Sequence, residues 1–239
     1  MKKKRILAII MSLTLAFSVV GCGKSNSGNT SSTEATTKED SSSSDSKDGF
    51  KKIENTEKNV LELGAKQTKE IKAILEKYGI KTAYNGEHNT NVPIHIAKDE
   101  NDCSYDATKG YNISTTGDVK INDGGEHEYQ ILHNAYVDKE NNNEVRYLYQ
   151  ITIDYPTTEE FKLDNFKMFK ELVQEVQGSD YDFASLDKWM SEHIKKIQSK
   201  EKQGASARDV GSFHEGIEGG SKRAGKNTNM IIFSFSLRK

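Results

Sequence analysis

Two runs of alternating apolar and polar residues, separated by a short polar stretch, constrain the fold of this chain more than any other feature. Every second residue is apolar or His from Tyr129 to Val137, and every second residue is apolar from Val145 to Tyr155. Side chains that repeat with a period of two lie on one face of a β-strand. The asparagines at 141–143 favour a turn between the runs. The pattern predicts an antiparallel pair of strands with one buried face.

Helical periodicity is present on both sides of this strand pair. Apolar residues at steps of three and four predict an amphipathic helix over roughly residues 54–78, which Gly79 ends. Thr157–Glu160 have the spacing of a capping box and predict a helix that continues to Gly178. Another helix with the same periodicity begins near Asp182. We expect these last two helices to form a hairpin against the sheet.

Weaker strand signals flank these elements. Residues 92–97 alternate and predict a short strand, which Pro93 would confine to a sheet edge because proline has no N–H. One or two further strands are expected between Tyr111 and Ile121. Residues 200–227 are polar and rich in glycine, which predicts a loop. Residues 230–237 start apolar on both faces, which predicts a terminal strand at the centre of the sheet.

Together these signals predict an α+β domain. Its sheet would be mainly antiparallel, with about five to six strands. The N-terminal helix and the helix hairpin would cover one face of that sheet. The stretch 50–239 has a usual length for one domain and shows no internal repeat, so we expect a single domain there.

The first 22 residues predict export and lipid attachment. Residues 2–5 are basic, and residues 6–20 are mostly apolar, which is the length of a secretory signal rather than of a bilayer span. The following Val19-Val20-Gly21-Cys22 resembles the lipobox of bacterial lipoproteins. The resemblance implies that residues 1–21 are a signal peptide and that Cys22 carries the lipid. Cys103 would then be the only free thiol, and we expect it to be a core or loop residue.

Residues 22–49 predict a disordered tether behind the lipid anchor. The segment Lys24–Gly49 contains 9 Ser and 4 Thr among 26 residues and has one apolar side chain, Ala35. Removal of the signal leaves 30 Lys and Arg against 36 Asp and Glu, because four basic and no acidic residues are lost. This mildly acidic balance argues against nucleic acid as a partner. It also makes the lipid the expected membrane attachment, on the extracytoplasmic face of the cell membrane.

One segment partly matches a phosphate-binding loop. Gly220–Lys226 has the Gly-four-residue-Gly-Lys spacing of a P-loop, but Asn227 stands where Ser or Thr would reach magnesium. The predicted structure also lacks the strand before it and the helix after it whose amides would bind phosphate. We therefore expect a solvated basic loop.

The histidines supply the other candidate chemistry. His88, His127 and His214 each adjoin a glutamate, so a site of imidazole and carboxylate ligands is chemically feasible. None of them has local metal-ligand spacing, and we predict no metal site. His133 and His193 lie on apolar stripes and are expected in the core. No nucleophile motif or cysteine pair is present in the sequence, so we predict no catalytic residue and no cofactor.

Tyrosines are concentrated in the two alternating runs. Four of them are expected to pack under the helices, and the fifth, Tyr136, lies on the opposite face, where an exposed patch would indicate a partner. The four are Tyr129, Tyr147, Tyr149 and Tyr155. The residues that share the face of Tyr136 are Gln130, Leu132, Leu148 and Gln150.

The leading functional hypothesis is a lipid-anchored extracytoplasmic module that binds an envelope protein or a small ligand without catalysing a reaction. One alternative is a solute- or metal-binding lipoprotein that serves a transporter, based on the His-Glu pairs. Another is an envelope enzyme whose site is assembled from distant residues, around the glycine-rich segment 204–227.

Overall fold

The predicted strand pair forms the centre of the sheet. The structure, a computed structural model, describes residues 53–87, 91–105, 107–199 and 205–238. Strands β5 (Glu126–Asp138) and β6 (Glu144–Pro156) pair antiparallel along their whole length. The connection is a short 3-10 turn, Lys139–Asn141, at whose start the Asp138 side chain accepts hydrogen bonds from two backbone amides. The prediction of an antiparallel pair is therefore confirmed.

In the described part of the chain the sheet has nine strands, more than the five to six that the sequence predicts. It is antiparallel except where β1 and β2 pair in parallel. The order across the sheet is β1-β2-β3-β5-β6-β9-β8-β7, and β4 pairs with the beginning of β5. The remaining strands are β1 (Thr82–Tyr84), β2 (Ile94–Ile96), β3 (Ala107–Thr115), β4 (Val119–Asn122), β7 (Ser206–Val210), β8 (Phe213–Lys222) and β9 (Thr228–Leu237).

Most of the segment predicted as a polar loop contributes two of these strands. β7 and β8 form a hairpin within 206–222, and β8 pairs with β9. Phe213 and Ile217 are the only large apolar side chains of β8, so its sequence pattern is too weak to indicate a strand. Pairing with the apolar β9 fixes the extended conformation instead.

The position of β9 is as predicted, and that of residues 92–97 is not. β9 lies between β6 and β8, and its alternate residues Ile231, Phe233 and Phe235 are fully buried. β2 is not an edge strand, because it lies between β1 and β3. Pro93 precedes the first paired residue of β2 and needs no N–H there, while its carbonyl accepts a hydrogen bond from the backbone amide of Thr116.

Within the described residues, three α-helices cover one face of the sheet, which confirms the α+β prediction. They are α1 (Glu57–Lys77), α2 (Lys167–Gln177) and α3 (Phe183–Gln198). Gly64 of α1 lies close to the sheet, since a Cβ there would be 2.7 Å from the Ala135 Cβ. Phe169 of α2 and Trp189 of α3 both make edge contacts with the Phe233 ring. One continuous core results between the helices and the sheet.

The predicted start of the first hairpin helix is wrong. Thr157–Glu160 form a turn, in which the Glu159 amide donates to the Pro156 carbonyl, and α2 begins at Lys167. The N-terminus of α2 is capped from elsewhere in the chain, because the Met168 amide donates to the Asp123 carboxylate at 2.9 Å. A long-range cap therefore replaces the local capping box. The start of α3 agrees with the sequence, with Asp182 as its N-cap.

The described helices include none with the length and apolar content needed to cross a membrane. The predicted signal peptide, Cys22 and the tether 22–49 lie outside the described residues.

Candidate functional site

The face of the sheet opposite the helices is one candidate surface. We call its central part, on strands β5, β6 and β9, the open face. Its side chains are half-buried, apart from the buried Asn134. The open face consists of Gln130, Leu132, Asn134, Tyr136, Leu148, Gln150, Thr152, Met230, Ile232, Ser234 and Ser236.

The composition of the open face differs from that of the chain. Charged residues make up 29% of the sequence, but on this face of β5, β6 and β9 they lie only at the two ends, with Glu128 and Asp154 at one end and Asp138, Glu144 and Arg146 at the other. Aliphatic, aromatic and neutral polar side chains occupy it instead. A surface that only faces water ordinarily carries charges, whereas depletion of charge with retained aliphatic and aromatic groups is typical of the centre of a protein interface.

A group of five charged residues lies at one end of the open face, and we call it the ion cluster. Lys226 Nζ lies 2.6 Å from Asp118 Oδ2 and 2.5 Å from Glu128 Oε2. The Arg223 guanidinium contacts the buried carboxylate of Asp154. Both basic residues belong to the turn between β8 and β9. The prediction of a solvated basic loop is therefore wrong, since Arg223 and Lys226 are bound by carboxylates from other segments of the chain.

Electrostatics hold the ion cluster in its charged form. Hydrogen bonds to Asp118 and Glu128 raise the pKa of Lys226. Burial alone would raise the pKa of Asp118, but hydrogen bonds from Lys226 and Gln130 keep it below its usual value. The ion pairs of the cluster therefore persist at neutral pH and hold the turn between β8 and β9 against the sheet.

The ion cluster also contains the one group of three carboxylates, among the described residues, whose oxygens could share a metal ion. The oxygens of Asp118, Glu128 and Asp154 lie within 4.8 Å of one another. Oxygen ligands of this kind suit hard cations. However, Lys226 already places its ammonium among them, 3.6 Å from Asp154 Oδ2, and Arg223 supplies a second positive charge. The chain thus neutralises most of the site itself.

A second polar centre lies under α2 and is fully buried. His127 Nδ1 is 2.7 Å from Asp123 Oδ1, and neither side chain is exposed. The other carboxylate oxygen, Oδ2, accepts hydrogen bonds from the Tyr129 hydroxyl at 2.8 Å and from the Met168 amide. Burial and the Asp123 charge raise the pKa of Tyr129, so its hydroxyl keeps its proton. We call Asp123 and His127 the buried dyad.

The second ring nitrogen of the buried dyad has no hydrogen-bond partner in the described residues. His127 Nε2 is buried, and the nearest carboxylate oxygen that it faces is Oε2 of Glu159, at 3.9 Å. The Phe166 ring packs against the imidazole at 4.3 Å between centroids. In the sequence His127 is flanked by glutamates. In the structure, however, its Nε2 faces Glu159, which is distant in sequence.

The other histidines are placed as follows. His133 and His193 are buried in the core, as predicted, and burial lowers the pKa of His133 to about 3. His214 Nδ1 lies 2.7 Å from Asp209 on the neighbouring strand β7, and both side chains are about half-exposed. His95 lies on β2 and is half-buried. His88 lies outside the described residues.

The tyrosines follow the predicted division. Tyr129, Tyr147, Tyr149 and Tyr155 are buried under the helices, and Tyr136 lies on the opposite face. The Tyr136 ring is stacked on Tyr105, with centroids 5.7 Å apart.

Cys103 is half-buried, as expected for a loop residue. Burial raises the pKa of its thiol, which disfavours the reactive thiolate.

A buried ion pair between β7 and β8 was missed by sequence reasoning. Glu215 is fully buried and accepts hydrogen bonds from Arg208 Nε at 2.7 Å and from the Tyr181 hydroxyl at 2.6 Å. The Arg208 guanidinium also lies over the Trp189 ring. The alternation of residues 213, 215 and 217 was the available signal, because it places Glu215 on the same face as two core residues. The pair fastens the helix hairpin to the end of the sheet.

No family model, curated protein or solved structure matches this chain.

Proposed function

We propose that this chain is a lipid-anchored protein on the extracytoplasmic face of the cell membrane, and that its domain binds a partner protein of the envelope through the open face. The observation that supports this proposal is that charged side chains on this face of β5, β6 and β9 lie only at its two ends and leave an uncharged centre with aliphatic side chains, in a chain of which 29% is charged. The lipid would confine the domain to the membrane surface, where the partner is encountered.

A protein partner fits the chemistry of the open face better than other macromolecules do. Leu132, Leu148, Met230 and Ile232 offer aliphatic area, and the Gln, Ser and Thr side chains between them offer neutral hydrogen-bonding groups. Protein interfaces combine these two features at their centre. Nucleic acid would require a basic surface, which the open face does not provide.

The ion cluster supports a defined orientation of the partner. It lies at one end of the open face, and its three carboxylates are balanced by its two cations together with Lys120, whose Nζ lies 3.7 Å from Glu128 Oε1. Charged groups at the rim of an interface steer association and fix its register more than they add affinity. A partner whose charged groups are complementary to this end would dock in one direction.

In-cell photo-crosslinking tests the binding surface. A photoreactive residue is introduced on the open face at Leu132 or at Ser234, and in a control at the exposed Lys69 of α1. We expect the two open-face positions to trap the same envelope protein and Lys69 not to trap it. Equal trapping from all three positions, or trapping of polysaccharide instead of protein at the open face, would contradict the proposal.

Mass spectrometry of the N-terminal peptide tests the anchor separately. We expect a diacylated Cys22 at the start of the mature chain and loss of membrane association in Cys22→Ala. An unmodified thiol on a mature chain would contradict the lipid attachment without affecting the binding surface.

The alternative of a soluble-ligand receptor predicts a different response. A solute-binding lipoprotein would be stabilised by its ligand, so its melting temperature would rise by several degrees in a metabolite panel. No such rise is expected for a domain that binds a protein through a sheet face. An unbiased hydrolase screen tests the enzyme alternative, and turnover in it would argue against the proposed function.

A further inference from the structure

The unpartnered nitrogen of the buried dyad points to a ligand. We infer that His127 Nε2 and the Glu159 carboxylate together bind one divalent transition-metal ion, with Zn²⁺ as the natural probe. The inference is independent of the proposed function, since it uses a different part of the molecule.

The hydrogen bonds of Asp123 determine which nitrogen is available. Its carboxylate accepts hydrogen bonds from the Tyr129 hydroxyl and the Met168 amide and lies 2.7 Å from His127 Nδ1. Because a carboxylate can only accept, Nδ1 carries the proton and donates a hydrogen bond to Asp123. Whenever the ring carries only this one proton, the lone pair is at Nε2. A carboxylate that holds one imidazole nitrogen while the other binds metal is the common second-shell arrangement of metal-ligating histidines.

The geometry allows one ion to contact both groups. His127 Nε2 and Glu159 Oε2 are 3.9 Å apart, too far for a hydrogen bond. Bonds of about 2.0–2.1 Å to nitrogen and about 2.0–2.2 Å to oxygen sum to slightly more than this separation, so one ion can reach both atoms, and a small inward movement of Glu159 would give the closer spacing of a tetrahedral site. The Glu159 side chain is 38% exposed, so it can adjust and water can complete the coordination.

Gly125 keeps this approach open. A Cβ at this position would lie 2.8 Å from His127 Nε2 and 3.5 Å from Glu159 Oε2. Any side chain would therefore project between the two ligands. The glycine leaves the Nε2 lone pair facing the carboxylate rather than a methyl group.

The ligand set selects the class of ion. Imidazole nitrogen suits zinc, cobalt and nickel, whereas calcium and magnesium prefer oxygen alone. Two protein ligands fall short of the four that close a structural zinc site, so the ion would be exchangeable. The ion cluster is a different kind of site. Its ligands are all oxygen atoms, and Arg223 and Lys226 already bind them.

Calorimetric titration of the metal-stripped full-length chain in detergent with Zn²⁺, near neutral pH, tests the inference. Glu159→Gln removes a ligand from an exposed side chain, and Glu160→Gln is the control on its more exposed neighbour. We expect Glu159→Gln to weaken Zn²⁺ binding by about tenfold or more and Glu160→Gln to leave it unchanged. Gly125→Ala, which retains both ligands, is expected to weaken binding as well.

Nitrogen NMR of the histidine side chains gives a second readout. We expect Zn²⁺ to shift the Nε2 resonance of His127 in the wild type and in Glu160→Gln, and excess Mg²⁺ not to reverse the shift. Zn²⁺ binding that Glu159→Gln leaves unchanged would place the ion elsewhere and overturn the inference. So would the absence of any Zn²⁺-dependent shift at His127.

Discussion

Asp123 caps a helix that begins 44 residues later in the chain: its Oδ2 accepts the Met168 amide hydrogen bond at 2.9 Å, close to the N-terminus of α2. The same carboxylate holds the His127 ring and the Tyr129 hydroxyl. One side chain in the turn before β5 therefore fixes a helix, a strand and a buried histidine at once.

Replacement of this carboxylate is expected to be costly. Asp123→Ala would remove the cap and leave the Tyr129 hydroxyl and His127 Nδ1 buried without an acceptor, so we expect a loss of about 2–4 kcal/mol in the free energy of unfolding. Urea denaturation measures it. Asp164→Ala, at an exposed aspartate paired with Lys170, is the control and should stay close to wild type. Equal effects of the two variants would contradict the structural role of Asp123.

Tyr147 and Tyr149 are neighbouring core tyrosines, and loss of the hydroxyl should affect the free energy of unfolding differently at the two positions. The Tyr147 hydroxyl donates to Gln67 Oε1 at 2.7 Å, whereas the buried Tyr149 hydroxyl has no hydrogen-bond partner in the described residues. We expect Tyr147→Phe to cost about 1 kcal/mol of unfolding free energy and Tyr149→Phe to be neutral or stabilising. Thermal and urea unfolding of the pair provide the comparison. A larger loss in Tyr149→Phe than in Tyr147→Phe would show that the Tyr149 hydroxyl is satisfied.

The free energy of unfolding should depend on pH through the protonation of His133. Burial lowers its pKa from 6.5 to about 3. Between these values the unfolded chain binds a proton at this site that the native state does not. The free energy of unfolding should therefore fall as pH decreases from 6.5 towards 3, by at most about 1.4 kcal/mol per pH unit from this residue.

The measurement for His133 is a series of urea unfolding curves across that pH window. His133→Gln has no titrating group at the site and should show a shallower dependence than the wild type. Well above pH 6.5 the residue binds no proton in either state, so its contribution to the slope should disappear there. Identical slopes for the two proteins below pH 6.5 would contradict a neutral buried His133.

The buried ion pair predicts a strong non-additive effect. Arg208→Met would leave the charge of the fully buried Glu215 without its cation, and we expect a loss of about 3–5 kcal/mol. The double variant with Glu215→Gln should recover part of that loss, because the uncompensated charge is removed. Arg146→Met, which removes a half-exposed cation paired with Asp138, is the control and should cost about 0.5 kcal/mol. Additive losses at Arg208 and Glu215 would contradict the coupling.

The period-two pattern was sufficient to predict the centre of the sheet, because alternation is a property of each strand alone. It also placed Tyr136 on the face opposite the helices. The β7–β8 hairpin was not predictable, since its polar sequence becomes a strand only by pairing with β9. The capping box at 157–160 was misleading for a similar reason, as Asp123 supplies the cap that the helix uses.

The polar centres depend on contacts between distant residues, which a local pattern does not contain. Arg223 and Asp154 are 69 positions apart, and Lys226 and Asp118 are 108 apart. In the sequence His127 adjoins Glu126 and Glu128, but the folded chain places Glu128 beside Lys226 and Glu159 near the histidine.

The most direct test of the binding surface is the effect of one charge at its centre. Gln150→Arg and Gln150→Met have similar side-chain lengths and differ in charge, and each is combined with the photoreactive residue at Leu132. The proposal predicts that Gln150→Arg reduces the crosslink yield about tenfold, while Gln150→Met retains it and both variants keep the wild-type melting temperature. An undiminished crosslink in Gln150→Arg would show that the partner does not contact the open face.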